Sequence, residues 1–296
     1  MDNKMFLSPE VTQHGGHMIM QNVKKPNKIK YLNIDTRFQG DYNINKLATF
    51  IYNLPQTITE VKSIAVRNVE IPMSFHFFSV NYGNTFMKID VSSVVVIPNS
   101  SYTTTDLIKA QINSKFNSVL GGPLMLTIDF VDNRSKITNN ATSRNLYFDV
   151  DVSGGFNKYN LKSTLGWYLG FRQPEYTLSA NQTLYSESLV DLNTIRYLFL
   201  VVDDFRQSNP NSFISPLYNS FISKNILARI TLNPNTYPFG TILPANIFNG
   251  LLLSDQRYYA GKTDIQKLQI QLVDEWGRII DLNQFDFSFC LEIECE

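Results

Sequence analysis

The stretch LQIQLVDEWGRIIDLNQFDFSFCLEI, residues 268–293, indicates the fold class more clearly than any other part of this 296-residue chain. Apolar and polar residues alternate before and after the turn sequence Glu275-Trp276-Gly277-Arg278, which reverses the chain. Alternation with a period of two gives a β-strand one apolar face and one polar face. In the second strand the predicted apolar face consists of Phe285, Phe287, Phe289, Leu291 and Ile293. The stretch therefore predicts strands of a β-sandwich or barrel.

Shorter segments of strand character fill much of the remaining chain. They lie at 29–34, 48–53, 61–71, 86–90, 91–97, 195–202 and 226–232. A turn is predicted at Asn53-Leu54-Pro55, and a change of apolar phase predicts a β-bulge near Arg67 and Asn68. The Pro-, Asn- and Gly-rich residues 233–250 are predicted to form a long surface loop. Many short strands with turn signals between them indicate an all-β fold of two layers.

The region 99–171 differs, because it carries helical signals among its strands. Threonines 103–105 offer N-cap hydroxyls, Ile108, Ile112 and Phe116 share one helical stripe, and Gly121 ends the helix. A second helix is predicted over 160–169, with strands at 125–131, 135–139 and 146–152. The region therefore predicts a small α+β module inserted into a β chain.

Composition excludes several classes of protein. The 26 basic and 26 acidic side chains cancel, and 43% of the residues are hydrophobic, which disfavours a disordered chain. A chain without net positive charge is a poor general binder of nucleic acid. No apolar run is long enough for a membrane-spanning helix, and the first residues lack the layout of a secretory signal. Cys290 and Cys295 are predicted to be free thiols, because their spacing on a strand points them to opposite faces.

The histidines give little support for catalysis or metal binding. His14 and His17 form the sequence HGGH, but no cysteine or carboxylate set accompanies them, so a zinc site is disfavoured. His76, within an aromatic run, is predicted to sit at a strand end in contact with the core. We therefore predict no catalytic residues, no metal and no cofactor.

Three short motifs also favour plain structural roles. Gly261-Lys262-Thr263 resembles the end of a phosphate-binding loop, but Gln256 replaces the first glycine, and a turn is predicted. Asp203-Asp204 are predicted to be solvated carboxylates at a strand end, since neighbouring strand residues point to opposite faces. Ser153-Gly154-Gly155 lacks the strand–Ser–helix setting of a nucleophile and is predicted to be a loop.

Two features favour binding to other molecules. Residues 1–27 are predicted to form an arm that docks on a neighbour. The basic run Lys24, Lys25, Lys28 and Lys30, at the end of the arm and just beyond it, can also contact nucleic acid or anionic lipid. Aromatic residues of predicted loops suit either a sugar platform or a protein interface. These residues are Tyr237, Phe239, Phe248, Tyr258 and Tyr259.

Three stretches carry a resemblance to a known family. They are YLNIDTRF to EIPMSF (31–75), SYTTTDLIKAQINSKF to NLKSTLGWYLGF (101–171), and the stretch 268–293. Together they resemble penton and minor capsid proteins of the nucleocytoplasmic large DNA viruses and the related proteins of virus-like transposons. The resemblance implies an antiparallel jelly-roll sandwich built from 28–98 and 172–296, with 99–171 as the inserted α+β module.

The same resemblance implies a structural role in an icosahedral shell that is assembled in the host cytoplasm over an inner membrane. The implied partners are other capsid proteins, both major and minor, and further copies of the chain, in a pentamer or another homo-oligomer. Contact with the inner viral membrane stays open, and no specific nucleic acid is expected. The alternative hypothesis is a recognition module that binds glycans or a receptor on the virion or cell surface.

Overall fold

The structure is a computed structural model that describes residues 26–39, 48–151, 153–155, 161–205 and 225–296. Its helices are α1 (Thr105–Leu120) and α2 (Leu165–Tyr168). Its strands are β1 (Lys28–Asp35), β2 (Thr49–Pro72), β3 (Phe86–Ile89), β4 (Ser93–Val96), β5 (Leu126–Val131), β6 (Arg134–Asn139), β7 (Arg144–Tyr147), β8 (Glu175–Leu178), β9 (Thr183–Tyr185), β10 (Tyr197–Asp203), β11 (Ile226–Thr231), β12 (Ile242–Asn246), β13 (Leu252–Ser254), β14 (Arg257–Asp274) and β15 (Ser288–Cys295).

One large antiparallel sheet forms the body of the molecule. Its strand order is β1-β15-β2-β14-β10-β11-β13, and β12 pairs separately with β2. The first part of β2 pairs with β14, whereas its second part pairs with β15. The Val66 N–H of β2 donates to Ser254 Oγ of β13 at 3.0 Å. Strand β13, the last in the sheet order, therefore lies next to β2, the third in that order. The sheet thus curls into a layered antiparallel jelly-roll sandwich, which confirms the two-layer all-β fold that the strand pattern predicted and the jelly roll that the family resemblance implied.

Two smaller sheets and α1 pack against the same continuous hydrophobic core. Their strand orders are β4-β3-β7-β8 and β5-β6-β9, and α1 lies against β4 and β5. Both sheets combine strands from within 99–171 with strands outside that range. The domain boundaries at 98 and 172 therefore stay predictions, and the arm 1–27 lies almost wholly outside the described residues.

Helix α1 forms as its sequence predicts. Thr104 is the N-cap, and its hydroxyl accepts a hydrogen bond from the Leu107 N–H at 3.4 Å. Ile108, Ile112 and Phe116 are all buried on one face. Gly121 ends the helix in the left-handed conformation, at φ +73°, which glycine adopts without steric cost.

The second predicted helix is much shorter than expected. A 3₁₀ turn over Leu161–Ser163 precedes α2, and Thr164 between them has an extended ψ of 163°. The Thr164 hydroxyl donates to the Leu161 carbonyl at 2.8 Å, and this local bond competes with helix formation. The prediction of one helix over 160–169 was wrong for this reason.

Strand β2 is continuous where a turn was predicted at Asn53-Leu54-Pro55. Asn53 pairs with Lys267 and Ile58 with Ile265, so residues 54–57 bulge opposite a single residue of β14. Pro55 lies in this unpaired stretch, where its missing N–H breaks no ladder bond. The predicted bulge near Arg67 is confirmed, because Asn68 pairs with Cys290 and Val66 with Leu291, which leaves Arg67 unpaired.

The predicted loop 233–250 contains the strand β12, and this prediction was wrong in part. Leu243 and Ala245 are fully buried, whereas Ile242 is exposed, so the segment alternates like a strand. Pro244 is tolerated because β12 pairs only with β2 and is an edge strand.

The alternation before β15 also starts later than predicted. Asn283 and Gln284 adopt left-handed backbone conformations, at φ 51° and 67°, so extended structure does not reach back to Phe285. Phe285 is 58% exposed rather than on the apolar face. Glu292, predicted to face solvent, is buried.

Candidate assembly surface

Strand β1 is the outermost strand of the large sheet among the described residues. One of its edges pairs with β15 along its whole length, and no described strand pairs with the other. Ile29 and Tyr31 on this strand are 56% and 66% exposed. An edge strand presents unpaired N–H and C=O groups that can pair with a strand from another chain.

Tyr31 is held in place by a charged pair on the outer face of the sheet. The Arg67 Nε donates to Glu292 Oε2 at 2.6 Å, and a second guanidinium nitrogen donates to Oε1. This hydrogen bonding lowers the pKa of Glu292 and raises that of Arg67. The Tyr31 hydroxyl also bonds to Glu292, which raises the pKa of the tyrosine. The exposed Tyr31 ring is therefore anchored at its polar end.

A groove of about 580 Å³ opens where β1 ends, and we call it the β1 groove. Its residues include Phe239, Ile242 and Phe285, which are 49%, 63% and 58% exposed. The Phe239 ring stacks on His76 with ring centroids 5.6 Å apart and planes 5° from parallel. Clustered exposed apolar side chains of this kind are typical of interaction sites.

The β1 groove is acidic as well as apolar. Three carboxylates line it (Asp35, Glu70 and Asp286), against the single guanidinium of Arg37. Arg37 bonds to Asp35 at 2.6 Å, and this bond lowers the pKa of the Asp35 carboxyl. Glu70 accepts a hydrogen bond from the Ser288 hydroxyl at 2.9 Å, and Asp286 accepts one from the Thr36 hydroxyl at 2.7 Å. The groove thus suits a partner segment that is both apolar and basic.

Comparison with solved structures gives similarity to two virophage proteins. The chain resembles the penton protein of mavirus at a TM-score of 0.46 and 11% identity, over 91% of this chain and 100% of that one. It also resembles a chain of the Sputnik virophage structure at a TM-score of 0.42 and 13% identity, over 92% of this chain and 98% of that one. No family profile and no curated protein sequence matches the chain.

The structure does not bring together the residues that were considered as catalytic or metal-binding candidates. Asp204 is buried and accepts a hydrogen bond from the Tyr259 hydroxyl at 2.6 Å, so the prediction that it is solvated was wrong. Asp203 instead bonds to the Phe205 N–H at 2.8 Å. Lys262 lies within β14 rather than in the predicted turn, and it pairs with Glu60 at 3.0 Å.

The remaining candidates lie apart from one another. Ser153 is in a turn and bonds to Asp151, whereas His76 follows the end of β2 and contacts Phe239. His14 and His17, with Lys24 and Lys25, lie outside the described residues. Within the described ranges, no group of three or more His, Cys, Asp or Glu side chains is placed to hold a metal ion. No helix in those ranges is long and apolar enough to cross a bilayer.

The loop aromatics do not share one surface. Of the five, only Phe239 lines the β1 groove. Tyr237 is half-buried against the core, and Tyr259 is held by Asp204. Phe248 and Tyr258 are 93% and 57% exposed. The sequence reasoning missed the contact of Tyr31 and Arg67 with Glu292, because Glu292 lies more than 200 positions from both and nothing in a single sequence pairs residues so far apart.

Proposed function

We propose that this chain is a structural protein of a virion, a penton or minor capsid component in the icosahedral shell of a large double-stranded DNA virus. The observation that carries the proposal is the edge of β1 that no described strand pairs with, which exposes Ile29 and Tyr31 and leads into the apolar and acidic β1 groove. The sequence resemblance to capsid-associated proteins supports the same assignment. In this function the chain works by binding alone.

The partners are further copies of the chain and other capsid proteins. A neighbouring strand adds to β1 through main-chain hydrogen bonds, while side chains of the neighbour fill the β1 groove. Covering Phe239, Ile242 and Phe285 contributes about 1–2 kcal/mol each, because each side chain is already about half-buried in the single chain. Part of this offsets the entropic cost of association. Cyclic symmetry repeats the same contact around a vertex, as in a pentamer.

The basic arm of a neighbouring copy is the occupant of the β1 groove that we favour. The arm carries Lys24 and Lys25 just before β1, and its sequence Met18-Ile19-Met20 is apolar. These two features match the two features of the groove, which are its excess of carboxylates and its exposed aromatic side chains. When the arm of one copy binds the β1 groove of the next, each copy is linked to its neighbour in the same direction around the oligomer.

Incorporation into particles during assembly in host cytoplasm tests this function. The variant Phe239→Asp places a charge in the β1 groove, and Phe248→Asp, at a residue that is 93% exposed and does not line the groove, is its matched control. We expect Phe239→Asp and deletion of residues 1–27 each to lower the copy number per particle at least tenfold, with the control unchanged. Normal incorporation of both variants would contradict the proposal.

A further inference from the structure

Residues 246–251 form the end of β12 and the turn that leads to β13, and we call them the Phe248 tip. Phe248 is 93% exposed, which is the highest value for any large hydrophobic side chain among the described residues. Ile247, its neighbour in the turn, is also exposed. Neither residue lines the β1 groove. The Phe248 tip is therefore separate from the assembly surface.

The Phe248 tip lies within a long stretch of chain that carries no charge. Residues 230–254 contain no Asp, Glu, Lys, Arg or His, although 18% of the whole chain is charged. Charged side chains are the main obstacle to entering a lipid bilayer, because removing them from water is costly. Protein interfaces do not impose this limit, since they are enriched in Arg and have a polar rim. The composition therefore favours lipid over a protein partner.

Hydrogen bonds inside the turn satisfy main-chain donors of the Phe248 tip. Asn246 Oδ1 accepts from the N–H groups of Phe248 at 2.9 Å and Asn249 at 3.0 Å. In return, Asn249 Oδ1 accepts from the N–H groups of Asn246 and Leu251, both at 3.1 Å. The Asn249 side-chain amide also donates to the Pro244 carbonyl at 2.6 Å.

This internal pairing matches a requirement that is specific to lipid. Hydrocarbon offers no hydrogen-bond partner, so main-chain groups that enter it must be satisfied within the chain. A protein partner, in contrast, can supply such bonds itself. The two asparagine side chains that hold the turn are thus placed as insertion into lipid demands, and the apolar Phe248 side chain is left to face outward.

The Phe248 tip is also held in one shape as a protrusion. Gly250 adopts the left-handed conformation, at φ +73°, and no atom lies within 4 Å of the position that a Cβ atom would take there. Because the turn is already ordered, little conformational entropy is lost when Phe248 docks. A bilayer surface accepts such a protrusion without a complementary pocket.

We propose that the Phe248 tip inserts into the surface of a lipid bilayer without spanning it. The Phe248 ring enters the boundary between headgroups and acyl chains, and Ile247 lies beside it. The lipid that it recognises is neutral, because the tip offers no cation to an anionic headgroup. One aromatic side chain gives weak, reversible binding, which many copies on one surface would strengthen.

Co-flotation of the full-length protein with neutral phosphatidylcholine vesicles tests the proposal. We expect partitioning that rises with millimolar lipid and does not require anionic lipid. Phe248→Asp should weaken it at least tenfold, because a carboxylate opposes insertion. Val91→Asp is the matched control, since Val91 is 82% exposed but lies beside Asp90, which pairs with Arg144 at 2.7 Å. This control should bind like the parent, and thermal unfolding checks that both variants fold.

A fluorescence experiment then shows whether position 248 itself enters the bilayer. Lipids brominated on their acyl chains should quench the added emission of Phe248→Trp and leave the native Trp167 and Trp276 unquenched. The proposal is overturned if the parent does not bind neutral vesicles, if binding needs anionic lipid, if Phe248→Asp binds as well as the parent, or if Phe248→Trp is not quenched.

The proposed structural function can be tested separately with the same variant. Phe248→Asp is expected to lose vesicle binding and to keep its normal copy number in particles. A fall in copy number would mean that the Phe248 tip binds another protein of the particle, and the lipid proposal would then be wrong. Loss of incorporation by Phe239→Asp, which changes the β1 groove, has no bearing on lipid binding.

Discussion

Arg67 and Glu292 form a bidentate ion pair. Arg67 is the bulged residue of β2, and its side chain extends to Glu292 on the neighbouring strand β15. The Glu292 side chain is only 6% exposed, whereas the Arg67 side chain is 40% exposed, so the carboxylate is covered and the guanidinium still contacts water. The bulge is what directs Arg67 to this position, because it leaves the residue without a cross-strand partner. The pair in turn holds the Tyr31 hydroxyl at the exposed edge strand.

Replacing Glu292 by Gln should lower stability at neutral pH. The pKa of Glu292 is lowered in the folded state, so its contribution is present above the unfolded pKa of about 4.3 and is lost as the pH falls through the folded pKa. With one partner open to water, we expect a loss of about 1 kcal/mol at pH 7. Urea unfolding at pH 7 and at pH 3 measures it, and the difference from the parent should be smaller at pH 3. Asp132→Asn, in an exposed turn, is the control. An equal loss of stability in this control would show that the Arg67–Glu292 pair is not the cause.

Glu275 should show the opposite pH dependence. Burial raises its pKa to about 7, so the folded state holds a proton that the unfolded state releases near pH 4.3. Stability therefore falls as the pH rises between these values, and the penalty is complete above pH 7. We expect Glu275→Gln to be more stable than the parent by about 1–3 kcal/mol at pH 8 and to match it near pH 4. Chemical unfolding across this range measures the gap, and a less stable variant at pH 8 would contradict the assigned cause.

How much of the fold could be predicted depended on how local each signal was. Helix α1 was predicted with its cap and buried stripe, because Thr104, Ile108 and Gly121 each act on residues only a few positions away from themselves. The bulge at Arg67 was also predicted, since a change of alternation is visible in one strand. The continuous β2 and the strand β12 were missed, because proline signals a turn unless the pairing around it is known.

The assembly surface was less predictable than the fold. A sequence shows that a strand forms but not that it lies at the edge of a sheet. The exposure of Ile29 and Tyr31 follows from the position of β1, which pairs with β15 and with no other described strand. The β1 groove collects Asp35, Phe239 and Phe285 from three distant segments. Only the sheet order brings these segments together.

Arg257 should be essential for the stability of the sandwich. Its side chain is 1% exposed, and its guanidinium donates to the carbonyls of Val202 at 2.7 Å and Asn225 at 2.9 Å. Lysine has one nitrogen and cannot reach both carbonyls in the same geometry. We expect Arg257→Lys to lower the free energy of unfolding by about 2–4 kcal/mol. Arg229→Lys, where the guanidinium stacks on Tyr197, is the matched control and should cost less than about 1 kcal/mol. Equal costs in urea unfolding would show that the two carbonyl contacts are not important.

Lysine at position 31 should block self-association while the chain stays folded. The substitution adds an ammonium group to the face of β1 that carries Ile29, where a contact with a neighbour would desolvate it, whereas Lys28 and Lys30 point to the opposite face. The variant Tyr31→Lys is therefore expected to weaken oligomer formation at least tenfold in sedimentation velocity, with an unchanged midpoint of thermal unfolding. Tyr31→Phe keeps the exposed ring without its bond to Glu292, so its effect on association separates the role of the ring from that of the anchor.

Tyr185 gives this experiment a control of the same residue type. It is 51% exposed on β9, which is the outer strand of a smaller sheet among the described residues. If β1 is the strand to which neighbours add, Tyr185→Lys should leave association unchanged. Equal weakening by the two lysine variants would mean that added charge, rather than the edge of β1, controls association, and the assembly surface would then have to be sought elsewhere on the molecule.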